Sequence, residues 1–129
     1  MTTPRENMNH IIIPTNWQTH QQSLREIREL VFIQEQQVPI ADEWDDKDET
    51  ATHFLVTTDA GIAIACARLL VEAHANQTLY HIGRVAVLAK YRQQAIGREL
   101  MAAVITYFKQ AHPDYKIYLH AQTTRQRFY

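Results

Sequence analysis

The sequence predicts an α/β domain with a mixed, largely antiparallel sheet flanked by helices, in the order β-α-β-β-β-α-β. Three observations predict it. Short β-prone runs recur between turn-forming clusters, two segments carry apolar residues at helical spacing, and one strand runs through a polar turn straight into a helix. At 129 residues the chain fits one compact domain with a real core, and we expect residues 1–9 to form a loose N-terminal segment before a single domain over 10–129.

His10-Ile11-Ile12-Ile13 reads as the first strand, ended by Pro14. Thr19-His20-Gln21-Gln22 fits a capping box for a helix with Leu24, Ile27 and Val31 on one face, running to about Gln36. Val38-Pro39 breaks it. His53 to Thr58 and Ile62 to Val71 read as a hairpin turning at Asp59-Ala60-Gly61, and Glu72 to Thr78 reads as a polar loop. Tyr80 to Leu88 forms the next strand. Ile96, Leu100, Val104 and Phe108 then give a helix an apolar face, which His112-Pro113 stops. Lys116 to Ala121 is a last strand, parallel to the strand around Val85. A ligand at the carboxyl ends of those two strands would meet a helix N-terminus.

Composition narrows the function. The formal net charge of −1 gives no electrostatic case for nucleic acid. A single cysteine, Cys66, excludes an internal disulfide, which favours the cytoplasm, and Cys66 reads as a small core residue rather than a nucleophile. No signal-peptide core begins the chain, and no apolar run is long enough to span a bilayer. Metal is not expected: no histidine has a zinc-like partner pattern, and the acidic stretch lacks the EF-hand glycine and spacing.

Two stretches carry chemistry. Arg92-Gln93-Gln94-Ala95-Ile96-Gly97 feeds a helix whose first N–H groups lack partners and carry the positive end of its dipole. Such a turn binds phosphate oxygens, with Gly97 admitting a ligand closely and Arg92 and Arg98 adding charge. An ordinary helix start reads the same way. It is neither a Walker loop nor a Rossmann fingerprint, since no Gly-Lys-Ser/Thr follows and only one of three glycines is present. The second stretch, Asp42 to Glu49, holds six acids in eight positions. It suits a solvated loop, or an acidic mouth that attracts a cationic amine.

Ile82-Gly83-Arg84-Val85-Ala86-Val87-Leu88-Ala89-Lys90-Tyr91-Arg92-Gln93-Gln94-Ala95-Ile96-Gly97-Arg98-Glu99-Leu100 resembles the acetyl-CoA motif of the GNAT superfamily of N-acetyltransferases, whose loop reads Gln/Arg-x-x-Gly-x-Gly/Ala. Arg28 to Pro39, Glu43 to Asp48 and Leu119 to Gln122 occur in the order seen in the ElaA-like bacterial branch, so the resemblance covers about Met8 to Tyr129. Ala95 departs from the pattern, standing where many members have glycine. The ending departs too: such proteins continue through another helix and two strands, so the expected fold is GNAT-like and C-terminally truncated.

The resemblance implies acetyl-CoA as co-substrate, with no metal, and a small-molecule or protein amine as acceptor. Pyrophosphate would fall to the loop, Arg92, Gln93, Gln94, Ala95, Ile96, Gly97 and Arg98. The thioester carbonyl would meet a backbone N–H among Val85, Ala86 and Val87, a role that needs no particular side chain. The first helix forms a wall of the acceptor site in similar enzymes, which nominates Arg28 as substrate-binding, and Asp45 joins it from the acidic stretch; Glu35 and the acids near Asp45 are candidate bases, and Arg28 and Glu35 also read as solvated charges. A tyrosine after the last strand often protonates the leaving thiolate, and Tyr129 matches that position. A non-catalytic acyl-CoA-binding or self-associating module remains a second reading, with a homodimer forming through the exposed edge of the Lys116 strand. A fragment of a longer enzyme is a third.

Overall fold

The structure, a computed structural model, describes residues 9–74, 77–112 and 117–119. Its elements are β1 (His10–Thr15), α1 (Trp17–Arg28), a π-helical continuation (Glu29–Glu35), α2 (Ile40–Glu43), β2 (Thr52–Thr58), β3 (Ala63–His74), β4 (Gln77–Val87), a 3-10 segment (Ala89–Gln94), α3 (Ile96–Ala111) and β5 (Ile117–Leu119). They form one five-stranded sheet in the order β1-β2-β3-β4-β5. The first four strands are antiparallel neighbours, and β5 lies parallel to β4 with Tyr80, His81 and Ile82 opposite Ile117, Tyr118 and Leu119. The predicted fold class and the parallel pair are therefore both present.

Strand alternation divides the core between two faces. Phe54, Val56 and Leu69 join Ile96, Leu100, Val104 and Phe108 of α3 on one side. Leu55, Cys66 and Ala86 meet Trp17, Leu24, Ile27, Val31 and Phe32 on the other. Cys66 is 1% exposed and burial pushes its thiol up to about 12, as a small core residue requires.

Local chemistry corrects several expectations. Asn16, not Thr19, caps α1, because its Oδ1 accepts the Thr19 N–H at 2.8 Å. Pro14 does not end β1; it sits opposite Phe54 on an edge strand, where a missing N–H costs no ladder bond. The polar Glu72–Thr78 stretch is mostly strand: β3 and β4 extend into it, with His74 opposite Gln77. The first helix reaches its expected length but changes register after Arg28. Its last turns close with Gln36 N–H on Val31 O at 3.0 Å and Val38 N–H on Phe32 O at 2.8 Å, while Gln37 takes a positive φ of 60°.

Candidate active site

The junction of β4 and α3 is built from backbone. Tyr91 N–H bonds Leu88 O at 2.8 Å to begin the 3-10 segment, and Ala95 ends it in the left-handed region at φ 60°, ψ 18°. A methyl-bearing residue there costs on the order of 1–2 kcal/mol, so alanine does adopt the conformation that the family pattern gives to glycine. Ile96, fully buried, anchors the first turn of α3. Glu99 N–H finds Ala95 O at 3.1 Å, whereas the N–H groups of Ile96, Gly97 and Arg98 precede the first helical acceptor and no side chain caps this end. Three amides and the positive end of a sixteen-residue helix thus converge on one spot.

Gly97 has room for a Cβ, which would meet Val87 Cγ2 at an ordinary 3.7 Å. Gln93 and Arg98 are exposed and Gln94 is half-buried. Arg92 is committed elsewhere: its Nε–H donates to Val87 O at 2.9 Å, and its two Nη groups grip the Glu35 carboxylate, Nη2 to Oε1 at 2.6 Å. The two residues nominated for pyrophosphate and for general base are thus bound to each other. This pairing holds the Arg92 guanidinium firmly charged, Glu35 outweighing partial burial.

On the α1 face of the sheet lies a charge cluster that sequence reasoning missed. Arg28, 1% exposed, donates from Nε to Glu43 Oε2 at 2.6 Å, from Nη1 to Asp48 Oδ1 at 2.6 Å and from Nη2 to Glu43 O at 3.1 Å. Arg68 of β3 holds Asp45 with two hydrogen bonds of 2.9 Å and reaches Asp48 Oδ1 at 3.1 Å. Arg84 of β4 adds Nη2 contacts to Asp42 O, Glu43 O and Asp45 Oδ2 at 3.1, 3.2 and 3.1 Å. Three guanidiniums face three carboxylates, so charge within the cluster balances.

This corrects both readings of Arg28: it is not solvated, and its buried guanidinium presents no face to an acceptor. Asp45 is 24% exposed; burial disfavours its charge, but the Arg68 hydrogen bonds and charge, with the Lys47 N–H and Arg84, hold its carboxyl down to about 2. It is a charged group under tension from two arginines rather than a free acidic mouth. His53, also 1% exposed, stacks near Trp17 with ring centroids 5.4 Å apart and donates Nε2–H to Asp48 O at 2.9 Å. Burial lowers its pKa, against the pull of Asp48. Arg68 offered the one signal that could have found the cluster, a lone arginine inside the apolar run Cys66-Ala67-Arg68-Leu69-Leu70.

The cluster backs onto an open cleft of about 340 Å³ walled by Trp17, Arg25, Trp44, Asp46, Asp48 and Glu49. Trp44 lies under the Arg25 guanidinium at 4.4 Å, and Asp46 and Glu49 are exposed. Between Gly83 and Ala86, β4 carries two residues, Arg84 and Val85, opposite the single Ala67 of β3, with Arg84 at φ 50°. Ala86 packs against the α1 face, while Val85 and Val87 pack toward α3. Tyr129 lies outside the described residues. Among the described residues no group of three metal-ligating side chains comes together and no helix is long and apolar enough to cross a membrane.

Fold and site together define a mixed α/β domain in which β4, paired in parallel with the edge strand β5, leads through the 3-10 segment to the uncapped start of α3. A family model described as Acetyltransferase (GNAT) family matches residues 17–129, and the chain belongs to that family. Escherichia coli ElaA superposes with a TM-score of 0.81 at 28% identity, covering 94% of this chain and 84% of that one. An acyl-CoA N-acyltransferase from Pseudomonas aeruginosa gives a TM-score of 0.76 at 27% identity, covering 94% and 83%. A provisionally named acetyltransferase of Bacillus subtilis (strain 168) is 29% identical over 107 residues, 81% of this chain and 69% of that protein.

Proposed function

We propose that this chain moves an acetyl group from acetyl-CoA to a primary amine by direct attack in a ternary complex. The observation that carries the reading is the uncapped start of α3, where the amides of Ile96, Gly97 and Arg98 converge behind a left-handed Ala95. Pyrophosphate oxygens suit those donors, with the exposed Arg98 and the loop residues Gln93 and Gln94 beside them. The acyl-CoA named for the Pseudomonas aeruginosa neighbour supports the same choice of co-substrate.

The amine nitrogen attacks the thioester carbonyl carbon, and the oxygen that gains negative charge is held by a backbone N–H among Val85, Ala86 and Val87. Glu35 takes the ammonium proton directly or through water before attack, since an alkylamine is mostly protonated at neutral pH. The C–S bond then breaks, Tyr129 gives its phenolic proton to the thiolate, and the proton still on the new amide nitrogen passes through water to the tyrosinate, which restores the phenol. Asp46 and Glu49 on the cleft rim are proposed to attract the acceptor through their charge, with Asp45, already held by Arg68 and Arg84, and Arg28 bracing the acidic segment behind them.

The experiment is calorimetric titration with acetyl-CoA followed by a panel of amines, reading free thiol and acetylated product. Saturable binding with product formation is expected. Folded protein that binds CoA and acetylates nothing overturns the catalytic reading, and folded protein that binds no CoA overturns the site.

A further inference from the structure

Arg84 occupies an unusual position: a long, charged side chain at a positive φ of 50°, in the very bulge where such a backbone ordinarily takes glycine. Gly83 is its neighbour, yet the left-handed residue is the arginine. Something must hold it there. Its Nη2 donates to Asp42 O, Glu43 O and Asp45 Oδ2, all within 3.2 Å, so the bulge is pinned to the acidic segment by a single guanidinium.

Asp45 is pinned in turn from the other strand. Arg68, which stands opposite Gly83 in the β3–β4 register, holds both Asp45 oxygens at 2.9 Å. The two arginines therefore flank the bulge, one on each strand, and meet on one carboxylate. Arg84 Nε is buried without a hydrogen-bond partner although Glu43 Oε2 lies 3.2 Å away, so its grip comes through Nη2.

We infer that Arg84 is a positioning residue whose clamp on Asp45 fixes the β4 bulge and so aims the Val85–Val87 amides at the thioester carbonyl. This rests on the reaction proposed above. Rotation of the bulge would leave the pyrophosphate amides of α3 in place while moving the carbonyl-binding amide, so the clamp should act on turnover and not on co-substrate affinity. A side chain that merely fills space would show no such separation.

The test compares Arg84→Gly, which keeps the left-handed backbone without the guanidinium, with Arg84→Lys and Asp45→Asn. Arg84→Gly is expected to hold acetyl-CoA affinity within about threefold while kcat falls about 100-fold, the scale of a misplaced reacting group. Arg84→Lys should recover part of that loss, since an ammonium can still reach Asp45. The amide 1H–15N shifts of Val85, Ala86 and Val87 should move in Arg84→Gly and Asp45→Asn alike. Wild-type kcat with unmoved shifts in folded Arg84→Gly overturns the inference. Should the wild-type chain acetylate no amine, the reaction fails and the aiming role with it. The clamp itself is then read from the shifts, which stay unmoved in both variants if it is wrong.

Discussion

The guanidinium of Arg92 closes on the carboxylate of Glu35 across 57 residues of sequence, with both Nη groups engaged and Nε–H on Val87 O. One side chain thus staples the loop before α3 both to the end of β4 and to the last turn of the π-helical segment. In the proposed reaction a pyrophosphate that recruits Arg92 would compete with Glu35 for it, and would draw the guanidinium away from the carboxylate proposed to take the amine proton. The two proposed roles are coupled by a contact that neither residue reveals alone.

Glu35→Gln tests that coupling. The pair is 22% and 37% exposed, so its loss should change stability by no more than about 1 kcal/mol. Freed from a carboxylate, Arg92 should bind CoA severalfold more tightly in calorimetry. Turnover near neutral pH should fall about 100-fold if Glu35 takes the amine proton. Weaker CoA binding would show instead that Arg92 needs Glu35 to hold the loop in shape.

The loop itself separates fold from ligand. Gly97→Ala adds a methyl that meets Val87 Cγ2 at 3.7 Å, an unstrained contact, and improves helix propensity by about 1 kcal/mol at most. The thermal midpoint should hold or rise while CoA affinity drops, and Gly97→Glu should abolish binding altogether. Ala95→Gly relieves the cost of φ 60° and should raise stability by up to about 1 kcal/mol. Unchanged CoA affinity in folded Gly97→Glu would move the pyrophosphate away from this helix start.

His53 should make stability fall on the acid side of neutrality. Burial lowers its folded pKa, so the unfolded chain binds the proton first: the contribution is complete above the unfolded value of about 6.5 and is lost as pH falls toward the lower folded one. Denaturant unfolding at pH 7.5, 6.5 and 5.5 reads this directly. His53→Gln should flatten the slope in that window; an unchanged slope would place its origin in another group.

What was legible in the sequence follows from the range of the signals. The element order and the parallel β4–β5 pair came through because strand and helix periods are local. The turn before Ile96 was legible because its pattern is contiguous. The cluster of Arg28, Arg68 and Arg84 was not, because each meets its acids across 15 to 42 residues, and although Arg68 stands out in its apolar run, nothing in its own window names the partners. The capping box at Thr19 lost to Asn16 because the structure starts α1 three residues earlier, at Trp17. Polarity in Glu72–Thr78 read as loop, although backbone pairing across a hairpin does not depend on apolar side chains.

The buried cluster yields the largest effect on stability. Arg28, Arg68 and Arg84 balance Glu43, Asp45 and Asp48, so Arg28→Met leaves one negative charge uncompensated in a site where Arg28 and Glu43 are 1% and 2% exposed. Breaking such a buried pair from one side costs about 3–5 kcal/mol. Burial already raises the Glu43 carboxyl against the pull of Arg28, and without that arginine its folded pKa rises further. A carboxyl whose folded pKa exceeds its unfolded value of about 4.3 contributes stability at low pH that is lost as pH rises through the folded value. The Arg28→Met deficit should therefore be smaller at pH 5 than at pH 8, measured by urea unfolding against wild type at each pH. Glu43→Gln in the same background should remove that pH dependence and recover part of the stability, because the stranded charge is gone. A deficit independent of pH, unaltered by Glu43→Gln, would mean that the cost is lost packing around Trp17 and Trp44 rather than an unpaired carboxylate.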